Sequence, residues 1–373
     1  MTKPFDVCIR GDGVVGRALA LLLAKERLKV ALVSPAGKPQ TTDIRAYALN
    51  AVSKALLERL RVWPDESFAT PVQDMQVWGD DGAFVDFNAQ AAGQAALTWI
   101  VEVPQLEALL LQACSYQSQI EAVNEPVAAT LNIICEGQNS GSRSNMGAQW
   151  TRKPYGQKAI AARLESDVPH AGCARQWFTG NGEVLALLPI GGSLGNALAL
   201  VWSVTDEHAD QLESLPQDEF CGLLAAACKN SGGVMRLTSP RVSWPLALGS
   251  ADHWVGPAWA LAGDAAHTVH PLAGQGLNLG LADAATLHQV LAGREYWRNL
   301  GDEKLLRRYE RSRKAEVAAV GAVTDGLQLL FAQSQPGWQS VRNWGMNGFA
   351  ASTPLKNWLI KRAAGHRTVG SGL

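Results

Sequence analysis

The chain has 373 residues, of which 47% are hydrophobic and 18% charged, with a formal net charge of -1. That length holds one large unit or two intimately joined ones with ample core, and the near-zero charge speaks against nucleic acid as a partner. The six cysteines, Cys8, Cys114, Cys135, Cys173, Cys221 and Cys228, are scattered without a CxxC pair; they read as reduced core residues of a cytoplasmic protein, with no disulfide framework and no metal site expected.

Phe5 to Ile9 reads as a strand, Gly11-Asp-Gly-Val-Val-Gly16 as the turn after it, the residues through Glu26 as a helix, and Lys29 to Val33 as a second strand. A GxGxxG in a βαβ context marks a dinucleotide site: Gly11 allows the tight bend, Gly13 lets backbone approach a pyrophosphate, and Gly16 lets helix pack on strand. The apolar run Leu19 to Leu23, followed by Lys25, Glu26 and Arg27, fits a buried helix better than a signal peptide, and no apolar stretch is long enough to span a bilayer. An acidic residue should close the second strand and hold the ribose hydroxyls. Here that position is Ser34, so weakened cofactor affinity or compensation from elsewhere is expected.

Asp43 to Leu49 leads into a helix to about Leu60, and Val72 to Trp78 alternates like a strand that turns at Asp80-Asp-Gly82 and returns over Phe84 to Phe87. Pro104 suits the first turn of a helix ending near Cys114. Leu131 to Cys135 reads as a buried strand with Glu136 and Gly137 at its end. Four alternating stretches follow, Lys158 to Leu164, Cys173 to Phe178, Val184 to Ile190 and Ala197 to Val204, and they predict an antiparallel sheet. Pro216, Asp218 and Glu219 open a helix that ends near Asn230, and Arg241 to Leu246 leads into the most informative run.

That run is Leu261 to Gly280. Trp259 to Ala262 is a short buried strand that stops at Gly263-Asp264, and Gly274-Gln275-Gly276 opens a helix whose apolar period continues to Leu291. The first amides of a helix lack intrahelical partners and carry the positive end of its dipole. Glycines at 274 and 276 let those amides meet a flat ligand, while Asp264 at a strand end can accept from sugar-like hydroxyls. A flavin offers both partners, a hydroxylated ribityl chain and a ring edge that becomes negative on reduction.

The run GDAAHTVHPLAGQGLNLGLADA resembles the second flavin fingerprint of the class A FAD-dependent aromatic hydroxylases, typified by para-hydroxybenzoate hydroxylase, and within them is most similar to the ubiquinone-biosynthesis hydroxylases. The resemblance implies an α/β fold in which a Rossmann-like FAD-binding domain is interleaved with an antiparallel-sheet substrate domain and followed by a helical C-terminal tail. The expected division is 1–71, 98–153 and 240–295 for FAD, 72–97 and 154–239 for substrate, and 296–373 for the tail. It implies FAD as cofactor and NAD(P)H as reductant, with one oxygen atom of O2 passed to an electron-rich phenolic ring, here a polyprenylated ubiquinone precursor.

By the same resemblance the cofactor residues are Gly11, Gly13, Val15, Gly16, Ser34, Arg45, Glu136, Gly137, Asp264, Pro271, Gly274, Gln275, Gly276, Leu277 and Asn278. Pro271, Gly274 and Gly276 are the residues expected beside the chemistry: Pro271 shapes the loop before the ring, and the amides of 274 to 277 stabilise charge at its N1–C2=O2 edge. Arg45 belongs to an R-A-x-A-L run near the cofactor's phosphate and ribityl region, and Glu136-Gly137 stands in place of an Asp-Gly. Pro104 falls where the family carries an arginine, and a small β-meander before Ile134 is trimmed. His267 and His270 read as structural, and no base for the phenol can be named.

After Asp325 the chain has no acidic residue, while Arg342, Lys356, Lys361, Arg362 and Arg367 alternate with Phe331, Trp338, Trp344, Phe349 and Trp358. Such a tail suits either a helical segment packed on the body or peripheral contact with an anionic inner-membrane surface. The rival readings are a cofactor-poor scaffold within a membrane-associated multi-enzyme assembly for quinone biosynthesis, motivated by Ser34, Pro104 and Glu136, and a different flavin oxidoreductase.

Overall fold

The computed structural model describes residues 5–34, 43–79, 83–178, 182–192, 194–229, 231–269 and 275–332, with side chains through Gly321. A six-stranded sheet carries the N-terminal turn. Its order is Val255–Gly256, Trp259–Leu261, Ala129–Ile134, Phe5–Arg10, Val30–Val33 and Ile120–Val123. All neighbours are parallel except the first pair, with Val7 opposite both Val30 and Leu131, and Trp259 opposite Asn132.

Parallel strands covered on both faces need apolar residues at nearly every position. That is why VALV at 30–33 is buried throughout. The Val14–Lys25 helix lies against both the Val103–Ser115 and Gln275–Ala292 helices, and Leu19, Leu22, Ile133, Leu261, Leu281 and Leu287 join one core. The long Glu303–Ala332 helix closes that core with Leu305, Leu306 and Tyr309, each fully buried.

The second layer is larger. Its strands run in the order His267–Thr268, Val242–Ala251, Trp150–Ser166, Ala197–Thr205, Val184–Pro189, Cys173–Phe178, Asp74–Trp78 and Phe84–Asn88, with Met235–Leu237 added beside Trp150–Ser166. It is antiparallel apart from one junction, where Cys173–Phe178 runs parallel to Asp74–Trp78. No hairpin constrains that pair, because its strands come from distant parts of the chain. The Val242–Ala251 strand pairs with Trp150–Ser166 from Ala251 opposite Trp150 to Val242 opposite Ala161, so the chain returns to the six-stranded sheet after Ala251 and not at the boundary expected at 240. Register slips between Pro154 and Gln157, where proline lacks the ladder donor.

One face of this sheet is covered by the Asp206–Ser214 and Gln217–Ala227 helices, whose Leu212, Phe220 and Leu224 pack against Ile160, Leu164, Trp202 and Val204. The first of these helices is absent from the sequence reading. It buries only Ala209 and Leu212, too few positions to show a period, and depends on its ends: Thr205 caps His208 N–H, with Asp206 and Glu207 in the first turn. A small sheet of Ala46–Leu49, Thr98–Glu102 and Ala69–Val72 joins the two layers through a cluster including Val72, Ile100, Ile190 and Ala199.

Candidate functional site

The site is assembled where the six-stranded sheet ends. Gly11 sits at φ +112, a conformation that side chains disfavour, and a Cβ there would run into the Cys135 carbonyl. A Cβ on Gly16 would overlap the Gly11 carbonyl, so helix and turn touch there, whereas one on Gly13 would meet nothing within 4 Å. The turn is therefore tight against the protein on one side and open on the other. Gly13 is also the N-cap of the Val14–Lys25 helix and offers no side-chain cap to its first amides. An open, uncapped helix start of this kind receives phosphate.

Val15 ties this turn to the second fingerprint. A Cβ on Gly280 would lie 2.7 Å from Val15 Cγ2 and 3.4 Å from Gly263 Cα, and one on Gly263 would lie 3.4 Å from the same Val15 methyl. The Gly263–Ala265 turn, the Gln275–Ala292 helix and the N-terminal helix thus meet at one point. Asp264 is the exposed residue of that turn, between buried Gly263 and Ala265, and no described residue hydrogen-bonds its carboxylate. Burial among surrounding protein pushes its carboxyl above the ordinary range, although His267 and Arg45 pull the other way. A carboxylate open to solvent and without a described partner is suited to accept from a ligand's hydroxyls. Gly276, one turn before Gly280, again has nothing within 4 Å of its Cβ position.

Behind Asp264 lies a buried network. The fully buried Asp283 accepts from Gly263 N at 2.9 Å and from Arg313 Nε at 2.7 Å, and His267 Nε2 lies 2.7 Å from its Oδ2. Burial alone would raise the Asp283 carboxyl, but His267 and Arg313 outweigh it and hold it below its usual value. His267 also stacks on Trp254, with ring centroids 4.8 Å apart. Arg143 reaches the same turn, donating to Ala265 O at 3.0 Å while its guanidinium lies 3.8 Å from the Trp150 ring centroid.

Asn278 is buried, with every hydrogen-bonding group engaged by protein: its Oδ1 accepts from Asn50 N at 3.0 Å and Ser53 Oγ at 2.7 Å, and its Nδ2 donates to Ala48 O at 2.8 Å. It positions the Ala46–Leu49 strand, and with it Arg45, against the fingerprint helix. Arg45 is held by both carboxylate oxygens of Asp43, with Tyr47 OH 3.4 Å from its Nη1. Glu136 turns back onto its own loop, accepting from Ser140 Oγ at 2.7 Å, Ser142 Oγ at 2.6 Å and Ser142 N at 3.2 Å. Its carboxylate organises the short Gly141–Asn145 helix, and Gly137 beside it has φ +80. Leu277 is buried in the core and Gln275 is half-buried at the helix start. Pro271, Gly274 and His270 lie outside the described residues, as does the tail from residue 333.

The structure therefore brings Gly11, Gly13, Val15, Gly16, Asp264 and Gly276 together, with Asn278 supporting from behind. Sequence reasoning missed Asp12, Asp283 and Arg313, whereas Arg143 stands in the fingerprint-like run that opens at Glu136. A signal existed for Asp283, a carboxylate at a core position of an otherwise apolar helix period, which demands a buried partner.

The sequence profile of a family described as an FAD binding domain matches residues 88–324, nearly two thirds of the chain. The chain belongs to that FAD-binding family. It is 29% identical to a ubiquinone hydroxylase of Rhodospirillum rubrum over 99% of this chain and 91% of that protein. It is 28% identical to the 3-demethoxyubiquinol 3-hydroxylase of Escherichia coli over 97% of this chain and 99% of that one. A probable FAD-dependent monooxygenase from Pseudomonas aeruginosa shares the fold with a TM-score of 0.76 and 21% identity, over 92% of this chain and 99% of the other. The residues present fit FAD: an open phosphate turn at Gly13, an exposed carboxylate at Asp264 for ribityl hydroxyls, and a bare helix start at Gly276. Among the described residues no group of His, Cys, Asp and Glu is placed to hold a metal ion, and no helix is long and apolar enough to cross a membrane.

Proposed function

We propose that this protein is an FAD-dependent monooxygenase that hydroxylates a phenolic ring, with a polyprenylated ubiquinone precursor as substrate and NAD(P)H and O2 as co-substrates. The observation that carries the reading is the Asp264 carboxylate, exposed and without a described hydrogen-bond partner, in the turn that packs against the Gln275–Ala292 helix one turn beyond Gly276. Near end-to-end similarity to ubiquinone hydroxylases supports the substrate class.

Bound FAD supplies the redox chemistry, accepting electrons from NAD(P)H and delivering one oxygen atom of O2 to the ring. The chain's own groups bind, orient and stabilise charge. The amides opening the Val14–Lys25 helix receive the pyrophosphate, Asp264 holds the ribityl hydroxyls, and Arg45 lies on the phosphate and ribityl side. Amides of Gln275, Gly276 and Leu277 offer the positive end of a helix dipole to the pyrimidine edge of the ring, where negative charge develops. Pro271 and Gly274, which precede that helix in the sequence, are assigned to the same role beside the ring. The nine-stranded sheet supplies the apolar wall for the substrate, and the basic, aromatic tail carries the protein to an anionic membrane surface.

The deciding experiment is the visible spectrum of the purified protein before and after adding FAD. A yellow protein with one FAD per chain, whose NAD(P)H consumption rises with a phenol and which places oxygen in the ring, is expected. A colourless protein that fails to take up FAD would make it the scaffold instead. Removing the residues after Gln335 should lower binding to anionic liposomes, and equal binding would end the membrane assignment.

A further inference from the structure

The Val30–Val33 strand ends in Ser34, a hydroxyl at the place where a carboxylate ordinarily meets an adenosine ribose. The fold brings a carboxylate there from another direction. Asp12, between Gly11 and Gly13, is buried at 6% exposure, and Ser34 Oγ donates to its Oδ2 at 2.6 Å. Arg17, also buried, reaches the same oxygen at 3.5 Å and donates through Nη1 to the Glu107 carbonyl at 3.2 Å.

We propose that Asp12 and Ser34 together form the ribose site of the bound FAD, dividing between two residues the work of one strand-end acid. The inference rests on the flavin reading above. Position supports it first: the two residues follow the carboxyl ends of adjacent parallel strands, where Arg10 is paired with Val33, and ligands of such sheets bind beyond those ends. Chemistry supports it second. Ser34 gives its only hydroxyl proton to Asp12, so toward a ligand it acts as an acceptor, which is what a donating ribose hydroxyl requires. The negative charge behind the serine strengthens that acceptor through the chain of bonds.

Charge supports it third. A carboxylate inside the turn that carries a pyrophosphate repels it unless neutralised, and Arg17 lies behind Asp12 to do so.

The test measures dissociation constants of FAD and FMN for the apoprotein by flavin fluorescence, since FMN lacks the adenosine ribose. Asp12→Asn should weaken FAD about 10- to 100-fold and leave FMN within about twofold. Ser34→Ala should weaken FAD by a smaller factor in the same selective way. Ser34→Glu should weaken FAD in the presence of Asp12, by setting two carboxylates side by side, and should restore it in the Asp12→Asn background. The rescue also guards against loss of fold as the cause of a weak Asp12→Asn variant. Unchanged FAD affinity in Asp12→Asn, or equal loss for FAD and FMN, would overturn the ribose assignment while leaving the flavin site intact. Failure of the unaltered protein to bind either flavin would overturn both.

Discussion

Replacing Asp283 by asparagine tests whether the buried network behind Asp264 holds the site. The carboxylate is 0% exposed and Arg313 is 1% exposed, so Asp283→Asn keeps the shape but leaves a buried guanidinium without its main counter-charge. Breaking a buried pair from one side costs about 3–5 kcal/mol. With roughly 2 cal/mol/K of unfolding entropy per residue, a 373-residue chain loses about 1 °C of midpoint per ~0.8 kcal/mol, so a fall of about 4–6 °C is expected. Thermal unfolding of the apoprotein at pH 7, followed by circular dichroism, measures it. The pH dependence gives a second reading. Because the folded Asp283 carboxyl lies below its usual value, its contribution is fully present above the unfolded carboxyl value and is lost as pH falls through the folded one. The gap between the two proteins should therefore narrow on acidification below about pH 4. A gap under about 1 °C at pH 7, or one that acid leaves unchanged, would refute the reasoning.

Gly276→Val should leave apoprotein stability within about 0.5 kcal/mol, since its Cβ meets nothing within 4 Å, yet lower FAD affinity at least about tenfold; unchanged flavin content would mean the ring lies elsewhere. Asn278→Ala leaves the Ala48 carbonyl and Asn50 amide without their partner, so urea denaturation should show a loss of about 2–3 kcal/mol, and a loss below about 0.5 kcal/mol would show that the tie is idle. Burial pushes the thiols of Cys114 and Cys228 up to about 11 and about 12, so iodoacetamide at pH 8 should leave both unmodified in the folded protein; rapid labelling at either, read by mass spectrometry, would contradict their burial.

The elements legible in the sequence were those whose signal is local. The βαβ opening, the Val103–Ser115 helix with proline in its first turn, and the strands Asp74–Trp78 and Cys173–Phe178 through Ala197–Thr205 announce themselves by period and punctuation. What was not legible depends on residues far apart in the chain. Asp283 reads as an interruption in an apolar helix until Arg313, thirty positions later, is seen to face it. Ser34 reads as a missing acid until Asp12 is found beside it. Asn278 and Glu136 occupy cofactor-like positions in the pattern, but their hydrogen bonds run to the protein, which no spacing reveals.

The order in which the strands are made differs from the order in which they lie. Phe5–Arg10, the third strand from the nearer edge, has as its two neighbours Val30–Val33 and Ala129–Ile134, and the latter in turn waits for Trp259–Leu261. On the ribosome Phe5–Arg10 must remain without one partner through more than a hundred residues of synthesis, and Asp283 without Arg313 until later still. Chains with such distant pairings fold slowly and expose hydrophobic edges meanwhile. Newly made copies of this protein are thus expected to lean on chaperones, and FAD is expected to enter only once nearly all of the chain has emerged.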